Sequence, residues 1–213
     1  MYKRIILFCF GLLLCHLGLA SSADSVSTRY SKGVFYSYCQ LKTTANDSVT
    51  NVVVSQFVQQ MCYDIKGLFK WGLKGMSLKN EKDELLVFDF KRTEYSKQTG
   101  ILRGVGDVVA PGLTTIKDVS VDSKLTLRTY TSGKREVKLD LAKSNMFIKS
   151  MSGSFYLVPK GDGKAAYFQI RTQISFSWIF NVFITEKRYK SIMEWRLRQV
   201  LLNLREESEK RTL

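Results

Sequence analysis

The stretch "GSFYLVPKGDGKAAYFQIRTQISF", residues 153–176, decides the fold. Its two arms alternate side chains about a tight turn at Gly161-Asp162-Gly163. Phe155, Leu157, Ala166, Phe168, Ile170, Ile174 and Phe176 form the inward series. Tyr167, Gln169, Arg171, Gln173 and Ser175 form the outward one. A period of two with a Gly-Asp-Gly break predicts a long β-hairpin with one apolar face. Such a face has to be covered, either by a helix alone or by a helix and a ligand.

The cover follows directly. From Trp178 to Arg211 the chain reads as helix, with Thr185 placed to cap it. Tyr189, Ile192, Met193, Arg196, Leu197, Val200, Leu201 and Leu204 fall on one side at helical spacing, and Lys, Arg and Glu fill the other. Upstream of the hairpin the chain reads as strands: residues 84–96, residues 100–109, a short strand or loop at "TIKDVSVDS", then residues 124–131 and 135–143. Pro111-Gly112 marks a turn. Gly104-Val105-Gly106 lacks the rest of a dinucleotide fingerprint and reads as a bend or bulge. Residues 34–43 are a first strand. Val53, Phe57, Met61 and Ile65 recur every fourth residue and predict a helix capped by Ser48 or Thr50.

The sum is an α+β domain: a curved antiparallel β-sheet of six or seven strands wrapped around a long C-terminal α-helix, with short helices after the first strand. One helix stripe offers fewer apolar positions than such a sheet, which leaves room for an apolar pocket.

The N-terminus is a different object. Lys3 and Arg4 precede an apolar run, and small residues gather at Gly18, Ala20, Ser21, Ser22 and Ala23. This is the pattern of a cleaved secretory signal over 1–23, followed by a Ser-rich flexible lead-in at 24–33 and a single domain over 34–213. The protein is therefore expected to be exported, periplasmic or secreted. A cut after Ala20 removes Lys3 and Arg4 from the 33 basic residues, so 31 face 19 acidic ones, a formal charge of +12. The same cut removes His16, the only histidine. No Ser-His-Asp or Cys-His arrangement and no His-containing zinc site can then be built. No metal site, cofactor or catalytic constellation is read elsewhere. Cys39 and Cys62 remain, either bridged or as two buried thiols.

Three stretches resemble the START-like helix-grip superfamily, which includes polyketide cyclases and coenzyme-Q-binding proteins. They are "FVQQMCYDIKGLFKW", "MFIKSMSGSFYLVPKGDGKAAYFQIRTQI" and "FITEKRYKSIMEWRLRQVLLNLREESEK", and the resemblance spans roughly residues 34–210. It implies a cavity between helix and sheet that binds a lipid or another apolar small molecule. Its expected lining is Leu125, Leu127, Val137, Leu139, Leu141, Phe155, Leu157, Phe168 and Ile170 from strands, with Met193, Leu197 and Val200 from the helix. The reading is a non-catalytic binding protein. An exported cyclase- or dehydratase-like enzyme is the alternative; it would need Asp89, Glu94, Asp140 or Tyr130 to point inward, and the alternation turns most of them outward. The basic excess suits an anionic membrane surface, with Lys66, Lys70 and Lys74 beside Phe69 and Trp71 as a candidate stripe. Nucleic acid is not an expected partner of an exported chain.

Overall fold

A computed structural model of the chain describes residues 24–75, 87–110, 114–160, 166–178 and 184–212. The expected signal over 1–23 and the turns at Pro111-Gly112 and Gly161-Asp162-Gly163 lie outside these residues.

The first described element corrects the sequence reading. Residues 24–33 are not a flexible lead-in: Ser25–Ser31 is strand β1, paired antiparallel with β2 (Val34–Thr43) from Ser31↔Val34 to Ser25↔Gln40. Lys32 and Gly33 join them with φ of 50° and 80°. Positive φ at both central residues is the geometry of a two-residue turn that matches strand twist. Polar Ser27 and Arg29 point out while Val26 and Thr28 point in, so pairing to β2 orders a segment with little apolar signal of its own.

After β2 the chain enters α1 (Asp47–Tyr63) and α2 (Ile65–Lys70). The cap of α1 is Asn46, whose Oδ1 accepts from Val49 N at 3.0 Å, and not Ser48 or Thr50. Asp64 separates the helices and caps the second, accepting from Gly67 N at 2.9 Å. Then come β3 (Val87–Ser96), β4 (Ile101–Ala110), β5 (Thr114–Thr129), β6 (Arg135–Leu141), β7 (Ile148–Pro159) and β8 (Ala166–Phe176). The stretch read as a short strand or loop is the first half of the 16-residue β5. A register shift between Gly106 and Val108 marks the bulge expected near Gly104-Val105-Gly106. The final helix α3 runs Glu186–Lys210, with Thr185 Oγ1 accepting from Arg188 N at 3.4 Å.

The eight strands of the described residues form one antiparallel sheet in the order β1-β2-β8-β7-β6-β5-β4-β3. The expected six or seven become eight because the lead-in joins the edge. The helix-grip architecture stands, with the paired helices following the second strand. Phe168 and Ala166 are fully buried while Arg171 on the other series is exposed, so the opening hairpin has the expected face inward. The main core joins Leu41, Leu157 and Phe168 of the sheet to Val53 and Val54 of α1 and to Leu197, Leu201 and Leu204 of α3. α3 lies along β1, β2 and β8, and α1 crosses toward β7 and β3. Glu209 near the end of α3 fastens it to the sheet, its Oε1 accepting from Thr44 N at 3.1 Å and Thr43 Oγ1 at 3.3 Å.

Candidate functional site

Antiparallel partners share a face, so the concave surface can be read as rows across strands. One row runs Val26, Cys39, Ile170, Phe155, Val137 and Leu127. Another, toward the N-terminal end of α3, runs Tyr30, Phe35, Ile174 and Met151. Between them the row is Thr28, Ser37, Thr172, Gly153, Leu139 and Leu125. Small residues thus occupy β1, β2, β8 and β7 side by side, with large ones before and after. In the sheet's own surface this line of small side chains is a shallow trough, and its Thr28 and Ser37 are buried. A Cβ placed on Gly153 would meet only Thr172 Cγ2, at 3.9 Å, among the described atoms.

The floor of the trough is polar. Thr28 Oγ1 donates to Ser37 Oγ at 3.0 Å. Thr172 Oγ1 is buried with no hydrogen-bond partner among the described residues. Tyr189 of α3 roofs one end, its ring 4.0 Å from that of Phe35 and 5.8 Å from that of Phe176. Its hydroxyl lies near Ser37 but outside hydrogen-bonding geometry. Burial pushes this phenol's pKa well up, with Ser37 and the Arg196 charge acting weakly the other way. The two hydroxyls are orphans that ordinary packing leaves at a cost, and a ligand oxygen would satisfy them.

The expected lining residues divide. Leu157, Phe168, Leu197, Val200 and Leu125 are buried in core clusters. Val137, Leu139, Leu141, Phe155, Ile170 and Met193 are half-buried and keep accessible surface. Phe155 stacks on Phe57 of α1 at 6.5 Å and tilts against Phe168 at 5.9 Å. Leu127 corrects the list: it is 59% exposed. It shares the face of Leu125, but Val58, Met61 and Cys62 of α1 cover Leu125 and do not reach the next residue outward. On that outer flank an open cleft of about 760 Å³ lies between Arg135 of β6 and the polar side of α1, where Gln56, Gln59 and Tyr63 stand. The polar row itself was missed, although Ser37 in "VFYSYCQL" and Thr172 in "FQIRTQISF" sit at inward positions between large residues.

The candidate acids face elsewhere. Asp140 binds Lys138 at 2.8 Å and accepts from Ser152 at 2.7 Å on the convex side. Glu94 pairs with Arg92 at 2.8 Å, Asp89 is exposed, and Tyr130 donates to Glu136 at 2.6 Å. Among the described residues no three His, Cys, Asp or Glu side chains gather as metal ligands.

Cys39 and Cys62 are free thiols, buried in different core clusters rather than bridged. Burial pushes Cys39 up to about 11 and raises Cys62 as well, so neither is a thiolate at neutral pH. Protein lacking residues 1–23 should therefore show no fast reaction with a disulfide reagent when native, and two reactive thiols once unfolded. One thiol or none after unfolding without reductant would contradict this arrangement.

No protein-family model matches the sequence, and no curated protein matches it. Solved structures do match. The Zhui aromatase/cyclase from Streptomyces sp. R1128 is 10% identical, with 84% of this chain and 96% of that chain covered and a TM-score of 0.52. Human STARD10 is 9% identical, with 94% of this chain and 80% of that chain covered and a TM-score of 0.49. At such identities the likeness is one of fold.

Proposed function

We propose that this chain, which has the START-like helix-grip fold, is an exported, non-catalytic binding protein that holds a lipid or other apolar molecule between the concave sheet and α3. The observation that carries this is the row of small residues at Thr28, Ser37, Thr172 and Gly153. Large apolar side chains stand in the flanking rows, and the step down to small ones leaves the shallowest part of the concave face at β8 and β7, where Thr172 and Gly153 stand. The half-buried Val137, Leu139, Phe155, Ile170 and Met193 supply an apolar wall, and the orphan hydroxyls of Thr172 and Tyr189 supply a small polar anchor. An oxygen-bearing apolar molecule suits that combination. The apolar N-terminal segment with its small-residue cleavage pattern supports export, where such molecules need shielding from water. The exposed Lys66 and Lys70 of α2 suit contact with an anionic membrane surface during loading.

Gly153→Leu tests the reading. The substitution fills the trough from its floor, where Thr172 Cγ2 is the only near neighbour described. Binding of a fluorescent fatty-acid probe should fall about tenfold or more, while the urea midpoint moves by about 1 kcal/mol or less. Leu139→Trp, from the next strand in the same row, should act the same way. Wild-type protein that binds no apolar probe and carries no extractable lipid, together with strong destabilisation by both variants, would show a solid core and end the proposal.

A further inference from the structure

The sheet divides by charge. None of β1, β2, β7 and β8, which are neighbours in space, contains an aspartate or glutamate. The acids of the sheet stand on β3, β4, β5 and β6. On the convex side of the acid-free half, cations lie over tyrosine rings. Arg29 is 4.9 Å from the Tyr36 ring centre. Arg171 lies between Tyr38 at 5.6 Å and Tyr156 at 5.7 Å. Lys134 continues the series, 4.0 Å over Tyr156 and 5.4 Å over Tyr130. The sequence places them for this: Tyr38 faces Arg171 across β2 and β8, and Gln40, Gln169, Tyr156 and Glu136 form the next row.

Hydrogen bonding within this surface occupies its Gln40 and Glu136 oxygens. Gln40 Oε1 accepts from both Tyr38 Oη and Gln169 Nε2, each at 2.7 Å. Glu136 is only 5% exposed, and its two oxygens accept from Tyr130 Oη at 2.6 Å and Ser154 Oγ at 3.0 Å. What the surface offers outward is a surplus of donors: guanidinium, ammonium and amide N–H. Antiparallel strands spaced at about 4.8 Å spread these donors over roughly 20 Å from β1 to β6. An extended partner rich in anionic and hydroxyl oxygens matches that array.

We infer that the convex face of β1, β2, β8 and β7 is a docking surface for an acidic polysaccharide, a chain of carboxylated or sulfated sugars. Its anionic groups meet Arg29, Arg171 and Lys134, and its hydroxyls meet the glutamine amides and serines. Two other polyanions fit less well. Single-stranded nucleic acid stacks its bases on open aromatic faces, whereas cations already lie over the rings of Tyr36, Tyr38 and Tyr156. A bilayer is met by exposed apolar side chains. Among the described residues, Val52, Tyr63, Phe90, Leu127 and Trp195 are exposed on other elements; Tyr30 of β1 shares the concave side of Phe35, and Tyr130 at the rim of the face turns its hydroxyl to Glu136 beneath Lys134. The site is on the opposite side of the sheet from the trough, so the two readings stand or fall separately.

The test is calorimetric titration of the full chain with heparin and with alginate at ~0.15 M salt, a condition that screens diffuse attraction beyond about 8 Å. Arg171→Gln combined with Lys134→Gln should weaken both about tenfold or more. Lys97→Gln combined with Lys143→Gln, exposed charges away from the face, should change them less than about twofold. Unchanged circular dichroism and melting temperature in both pairs show that the fold is intact. Equal losses in the two pairs would reduce the effect to net charge and overturn the assignment. So would absence of glycan binding by the wild type. Selective loss of oligothymidylate or phosphatidylserine-vesicle binding, with glycan binding untouched, would give the face to nucleic acid or membrane instead.

Discussion

Phe168→Ala lowers the stability of the fold by about 3–5 kcal/mol, the largest single-site effect expected in this protein. The side chain is fully buried. It lies between Leu41 and Leu157, its register partners on β2 and β7, and its ring is 5.9 Å from that of Phe155. α1 and α3 meet above it through Val53 and Leu201 in the same cluster. Removing the ring opens a cavity where sheet and both helices converge, so no one element can move in to fill it. Urea unfolding followed by circular dichroism reads the change. A shift below about 1 kcal/mol would mean that the convergence is not where the core is built.

Asn203→Ala comes next, at about 2–4 kcal/mol. Asn203 is a polar residue on the buried side of α3, and its Nδ2 donates to Gly72 O at 3.1 Å and Lys74 O at 2.9 Å. Its Oδ1 accepts from Gln199 Nε2 at 3.0 Å. One amide thus ties the turn after α2 to the C-terminal helix. Truncation strands two carbonyls and loosens Trp71 in that turn, whose Nε1 donates to Gln60 Oε1. Asn203→Asp distinguishes this from packing. Aspartate has the same shape but no donor, so it should cost at least as much as alanine, with a red shift of tryptophan fluorescence. A mild Asn203→Asp with unshifted emission would show that shape alone matters there.

Strong periodic signals carried the fold. The alternation of residues 166–176 gave β8 its face, and the apolar stripe from Tyr189 to Leu204 gave α3. β1 was hidden because its order comes from β2 and a Lys32-Gly33 turn, not from its own apolar content. The candidate site was half legible. Half-buried Phe155, Ile170 and Met193 follow from period and stripe. Whether an inward residue is covered depends on which strand each helix crosses, so Leu125 and Leu127, alike in sequence, end at 7% and 59% exposure. The polar row needed the register: Ser37, Thr172 and Gly153 belong to three strands, and only pairing aligns them.

The pairing of β2 with β8 has a further consequence, in time. Residues 35–43 bond to residues 166–174, so the strand formed near the start of the domain waits for one made near its end. α3, which closes the core over that seam, comes later still. Closing so long a loop costs entropy before any contact rewards it, and domains wired in this way fold slowly. Until its last segment is available the polypeptide has no finished core. Under the export proposed above, the chain would have to stay unfolded while it passed end-on through a narrow channel, and this topology would delay completion without any separate device.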